Sequence, residues 1–68
     1  MISKNSSLVL KYIKNYFKTH SEPITPLDVH IEGLTLVDIN IAFAELNNNG
    51  QIILEDTFNH QLVKGIVN

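Results

Sequence analysis

Thr25-Pro26-Leu27-Asp28 and, ten positions on, Thr35-Leu36-Val37-Asp38 repeat one pattern, and the architecture turns on whether each begins a helix. In each, a Thr can cap a helix and an Asp three residues later can reach back to the cap backbone. Pro26 also suits the first helical position. The repeat therefore predicts two consecutive helix starts. The first helix begins at Pro26 and is short, because Gly33 can end it as a left-handed residue. Leu27 and Ile31 are its expected core contacts, with Val29 or His30 partly exposed. The second runs from Leu36 to Asn48, with Leu36, Ile39, Ala42, Phe43 and Leu46 on one face. Asn47-Asn48-Asn49-Gly50 is its stop.

Upstream, residues 5–19 carry a helical pattern in which Val9, Leu10, Ile13, Tyr16 and Phe17 share a face and Tyr12 lies at its edge. Asn5, Ser6 or Ser7 could cap it. His20-Ser21-Glu22-Pro23 breaks it, since proline cannot continue the ladder and biases Glu22 away from helical geometry. Ile24 is expected to make a brief extended contact. Downstream, residues 51–55 read as a strand by their β-branched content, residues 56–59 as a turn, and residues 61–67 as a second strand. The two strands should pair as an antiparallel hairpin.

The order helix, break, short helix, tight turn, longer helix, hairpin resembles the winged helix-turn-helix superfamily. The segments that carry the resemblance are Ile24-Thr25-Pro26-Leu27-Asp28, Gly33-Leu34-Thr35 and Leu46-Asn47-Asn48-Asn49-Gly50-Gln51-Ile52. It implies a mainly α chain with a β-hairpin, ordered α-α-α-β-β, in which residues 1–68 form a single winged-helix domain. A three-helix bundle with a frayed tail is the alternative. In winged-helix proteins the third helix enters the DNA major groove, so the resemblance implies a role near DNA. It does not fix the function, because fold alone never does.

Composition limits what that role can be. The chain has 68 residues, 44% of them hydrophobic and 18% charged, which is globular composition. At this size it buries only about 60% of the surface its unfolded form exposes, so stability is marginal. Cysteine is absent, which excludes disulfides and thiolate metal sites. The apolar run near the N-terminus is interrupted by Lys11 and Lys14, unlike a signal peptide, and a cytoplasmic location is expected. The abundance of Asn, Ile and Lys suggests AT-rich coding, as in a low-GC bacterium, its mobile elements or a phage. Net charge is −2 and the pI about 5.8. A dedicated DNA-binding domain more often has a pI above about 9.

The third helix shows the same tendency. Its outward face holds Val37, Asp38, Ile41, Ala44, Glu45 and Asn48, with no cation to meet phosphates. Only Asn48, flanked by Asn40 and Asn47, could hydrogen-bond a base. Val37, Ile41 and Ala44 make an apolar stripe at i, i+4 and i+7, the spacing of helix-in-groove anchors. Equally, Val37 and Ile41 could tuck against the first helix or the hairpin. Phe58 at the hairpin tip could anchor a partner, wedge into a minor groove or, as favoured, plug the core. Lys11, Lys14 and Lys18 form a narrow arc on the first helix, and Lys64 sits on the hairpin. These four could touch a nucleic acid backbone, although most lysine stripes are solvated faces. His30 with Glu32, or Glu22 with Asp28, imitate half a metal site without the third ligand that zinc requires. No phosphate loop, nucleophile elbow or cofactor motif is present.

The expectation is therefore a non-enzymatic accessory or regulatory subunit in DNA transactions. It would dock on a larger protein through Val37, Asp38, Ile41, Ala44, Glu45 and Phe58, and contact DNA weakly or jointly. The alternatives are a stand-alone transcriptional regulator, perhaps a homodimer, and a purely protein-directed inhibitor or adaptor.

Overall fold

The computed structural model of the chain describes residues 2–56 and 61–67. Its elements are helix α1 (Lys4–Thr19), a single 3-10 turn (Pro26–Asp28), helix α2 (Leu36–Asn48) and strands β1 (Ile52–Asp56) and β2 (Gln61–Ile66). Two helices and an antiparallel hairpin replace the expected three helices and hairpin. The expected order α-α-α-β-β is thus corrected at its second member.

The reason lies downstream of each Thr-x-x-Asp start. At Thr35 the reciprocal bonds form, with Thr35 N donating to Asp38 Oδ2 at 3.0 Å and Asp38 N donating to Thr35 Oγ1 at 3.1 Å. Thirteen helical residues come after it. At Thr25 the Asp28 carboxylate likewise accepts from the Thr25 amide (3.0 Å) and hydroxyl (2.9 Å). The chain then turns extended at Val29 (φ −92°, ψ 118°). Between Pro26 and Gly33 there is room for fewer than two helical turns, too few to offset the cost of nucleation. Val29 and Ile31 are β-branched and lose rotamer freedom in a helix. In the extended form Val29-His30-Ile31-Glu32 alternates inward and outward, burying Val29 and half-burying Ile31. This reverses the expected core contacts, since Leu27 is 63% exposed and Val29 only 3%. Gly33 (φ +89°) closes a β-turn, in which Leu34 N donates to Ile31 O at 3.1 Å, rather than ending a helix.

Helix α1 starts one residue earlier than expected. Ser3, not Asn5, Ser6 or Ser7, is the cap, and its Oγ accepts from Ser6 N at 3.2 Å. At the other end Tyr16 stacks on His20 at 4.5 Å. Helix α2 ends in a Schellman arrangement: Gly50 N donates to Asn47 O and Gln51 N to Leu46 O, both at 3.0 Å, with Gly50 at φ +70°.

The strands pair antiparallel from Ile52 opposite Ile66 to Asp56 opposite Gln61, with Lys64 the extra residue of a bulge between the Ile53–Gly65 and Leu54–Val63 pairs. Ile24 joins the outer side of β2. Ile24 N donates to Val63 O at 3.0 Å and Val63 N to Ile24 O at 2.8 Å. Ile24 lies on one side of β2 and β1 on the other. Beneath them Val9, Ile13, Ile24, Val29, Ile39, Ala42, Phe43, Leu46, Ile52 and Val63 form the core. Leu36, expected within it, is 47% exposed. Leu10, Tyr12, Tyr16 and Phe17 pack against its edge.

Two pairs of substitutions test this arrangement by denaturant unfolding. Val29→Ala should cost about 2 kcal/mol through lost burial and a cavity, while Leu27→Ala should cost under about 0.5 kcal/mol. Gly50→Ala should cost about 1–2 kcal/mol because it forces a side chain into the left-handed region. Gly65→Ala should be tolerated, since an added Cβ would meet only Ile53 Cδ1 at an ordinary 3.8 Å.

Candidate interaction surfaces

Helix α2 fixes the first surface. Ile39, Ala42, Phe43 and Leu46 point inward, so residues half a turn away must face solvent. Val37 is 66% and Ile41 62% exposed, and Ala44 and Asn48 are exposed beside them. Neither Val37 nor Ile41 is tucked against α1 or the hairpin. The face carries no cation. Its flanking Asn40 turns its amide onto Leu36 O at 3.0 Å.

The two carboxylates expected as a rim have internal duties. Asp38 is half-buried and holds the Thr35 cap. Glu45, also half-buried, reaches across to α1, where its Oε1 accepts from Ser3 N at 2.7 Å. The Ser6 hydroxyl, then the Ser3 amide and the Ser3 hydroxyl, hold the Glu45 carboxyl below its ordinary value. Ser6 is itself buried. Glu45 thus ties the start of α1 to the end of α2, a role that sequence reasoning misses. Nothing local signals it, since Ser3 and Glu45 are 42 positions apart.

A second feature escapes sequence reading because the Thr25–Asp28 pattern points to a helix where the chain is extended. An open groove of about 470 Å³ lies between the 3-10 turn, the 29–34 segment with its closing β-turn, and the start of α2. Leu27, Ile31, Leu34 and Leu36 line it, with His30 and Glu32. The strict apolar–polar alternation of residues 29–32 is the signal that could have revealed it. Leu27 and Leu36 are its two strongly exposed apolar residues.

Lys11, Lys14 and Lys18 are exposed on α1 and share a shallow groove with Ser7, Leu10 and Asn15. Lys64 lies apart from them, paired with Glu55 at 3.1 Å. The structure thus brings Lys11, Lys14 and Lys18 together in one groove, while Lys64 on β2 and Asn48 on α2 do not line it. Phe58 and His60 lie outside the described residues. Among the described residues, no three His, Asp or Glu side chains come together to hold a metal ion. No helix among them is long and apolar enough to cross a membrane.

Comparison with known proteins adds no assignment: no family model, curated protein or solved structure matches the chain.

The Glu45 contact predicts an acid-sensitive fold. A carboxyl whose folded value is depressed stabilises the fold above its unfolded value, near 4.5, and loses that contribution as pH falls through the folded value. Denaturant midpoints should therefore fall as pH drops below about 4.5. Glu45→Gln should lower the midpoint at neutral pH and flatten that acid dependence. An unchanged profile in the variant would assign the acid sensitivity to other carboxylates.

Proposed function

We propose that this chain is a non-enzymatic binding module that docks on a larger protein through the outward face of α2. The observation that carries the reading is the exposure of Val37 (66%) and Ile41 (62%) one turn apart on a face without a cation. Single exposed apolar residues are ordinary, but contiguous ones mark contact sites. Leu27 and Leu36 are also exposed, and both line the groove at the start of α2. Burying such a face on a partner removes apolar surface from water on both sides, which is the main favourable term in association.

Asp38 and Glu45 contribute less to recognition than an acidic rim would, because each is occupied by a helix start. The partner is accordingly one that offers an apolar ridge or helix, and its binding should depend weakly on salt. We place the module as an accessory or regulatory subunit in DNA replication or transcription in the cytoplasm. That setting is implied only by the sequence resemblance to winged-helix proteins, whose second helix is replaced here by a 3-10 turn and an extended segment. A major-groove role for α2 gains no support, since its outward face offers phosphates no cation.

Ile41→Lys and Phe43→Ala separate docking from folding. Ile41 is exposed, so its replacement should change stability by less than about 0.5 kcal/mol while abolishing co-purification of the partner recovered with the unmodified chain. Phe43 is fully buried, and Phe43→Ala should cost about 3–5 kcal/mol, enough to unfold a domain this small. If Ile41→Lys retains the partner, the α2 face is not the docking site. If it strengthens DNA binding instead, α2 faces DNA and a stand-alone regulator becomes the better reading.

A further inference from the structure

Net charge conceals a strong separation of charge. Lys4, Lys11, Lys14 and Lys18 all lie on α1, whose sixteen residues include no side-chain carboxylate. All seven Asp and Glu residues lie elsewhere in the sequence, with Lys64 as the only other lysine. On the helix, Lys4, Lys11 and Lys18 recur every seventh position, and Lys14 lies within the same quadrant. The first three therefore form a nearly straight line along the axis, about 10 Å from one to the next. All four side chains are exposed. The one ion pair among the described residues joins Lys64 to Glu55, so none of the four meets a described carboxylate.

Helix stability does not account for this placement. A cation in the last turn, as Lys18 is, favours the helix dipole, but Lys4 in the first turn opposes it. No Glu or Asp stands three or four residues from any of them on α1 to offset their mutual repulsion. A line of like charges held at this spacing fits a polyanion of regular charge.

We propose that the exposed lysine line of α1 is a sequence-independent binding surface for the phosphate backbone of duplex DNA. Ser7 and Asn15, beside the lysines in the same groove, are uncharged donors suited to phosphate oxygens. A bilayer is the poorer occupant. The apolar face of α1 is committed to the core through Val9 and Ile13, and only Leu8 is exposed to insert. Duplex RNA is the competing polyanion, since its phosphates carry the same charge on a different helical geometry. The surface is separate from the α2 face and shares no residue with it, so this inference and the docking reading can fail independently.

The test is fluorescence anisotropy of the full chain with a short labelled DNA duplex at several salt concentrations. Parallel arms use duplex RNA of the same sequence and vesicles containing anionic phospholipid. Four phosphate contacts predict a slope of log affinity against log salt of about −3.6, a loss on the order of a hundred-fold between about 50 and 200 mM. The exposed double variant Lys11→Gln/Lys18→Gln should halve the slope to about −1.8 and keep the circular dichroism and melting of the unmodified chain. Lys64→Gln and Ile41→Lys should leave the lysine-dependent slope in place. The proposal is overturned if DNA does not bind at low salt, or if the double variant leaves slope and affinity unchanged. Binding to RNA or vesicles as tight as to DNA overturns it as well.

Discussion

The two backbone bonds between Ile24 and Val63 constrain the path of the chain between the two helices. A two-stranded hairpin is marginal by itself in water; here Ile52 and Val63 pack it onto the helices, and Ile24 adds backbone pairing on the outer side of β2. Ile24 N–Val63 O at 3.0 Å and Val63 N–Ile24 O at 2.8 Å bring two fully buried side chains onto Phe43, Ile13 and Leu46. That contact also fixes where the chain goes next. With Ile24 held in a strand pairing, Thr25 and Pro26 leave it in one direction, and the segment to Leu34 must close the open end of the core. It does so in extended form, with Val29 as the plug.

This constraint explains which parts of the fold are legible in the sequence. Helix α2 and its stop are readable because their determinants are local: the Thr35–Asp38 reciprocal bonds and the left-handed Gly50 need only neighbours within one turn. The hairpin is readable from its β-branched runs. The Thr25–Asp28 start has the same Thr and Asp and the same amide-to-carboxylate bond, but its Thr hydroxyl donates to that carboxylate and Asp28 N donates to Thr25 O, and no α-helix grows from it. Its outcome is decided by β-branched Val29 and Ile31, by the short distance to Gly33, and by the pairing of Ile24 with a residue far along the chain. The last of these has no local signature.

The surfaces divide in the same way. The exposure of Val37, Ile41 and Ala44 comes from the period of α2 once its phase is set by Ile39, Phe43 and Leu46. The lysines of α1 are visible in the sequence as an arc. That none of them forms an ion pair with a described carboxylate, and that Glu55 engages Lys64, require the tertiary structure. So does the part played by Glu45, which reads as a surface acid in sequence and proves to be a clasp on Ser3 at the start of α1. The groove beside Leu27 and Leu36 exists only because the second helix does not form. A small fold thus presents an apolar face on one helix and a cationic face on the other, while its carboxylates cap helix starts or lie away from α1.

Amide chemical-shift mapping probes that division of labour between the two helices. Titrating duplex DNA into the isotopically labelled chain at low salt should shift the amides of Ser7, Lys11, Lys14, Asn15 and Lys18. Val37, Ile41 and Ala44 should stay in place. Shifts concentrated on Val37, Ile41, Ala44 and the hairpin, with α1 unmoved, would refute the division and return the nucleic-acid contact to α2.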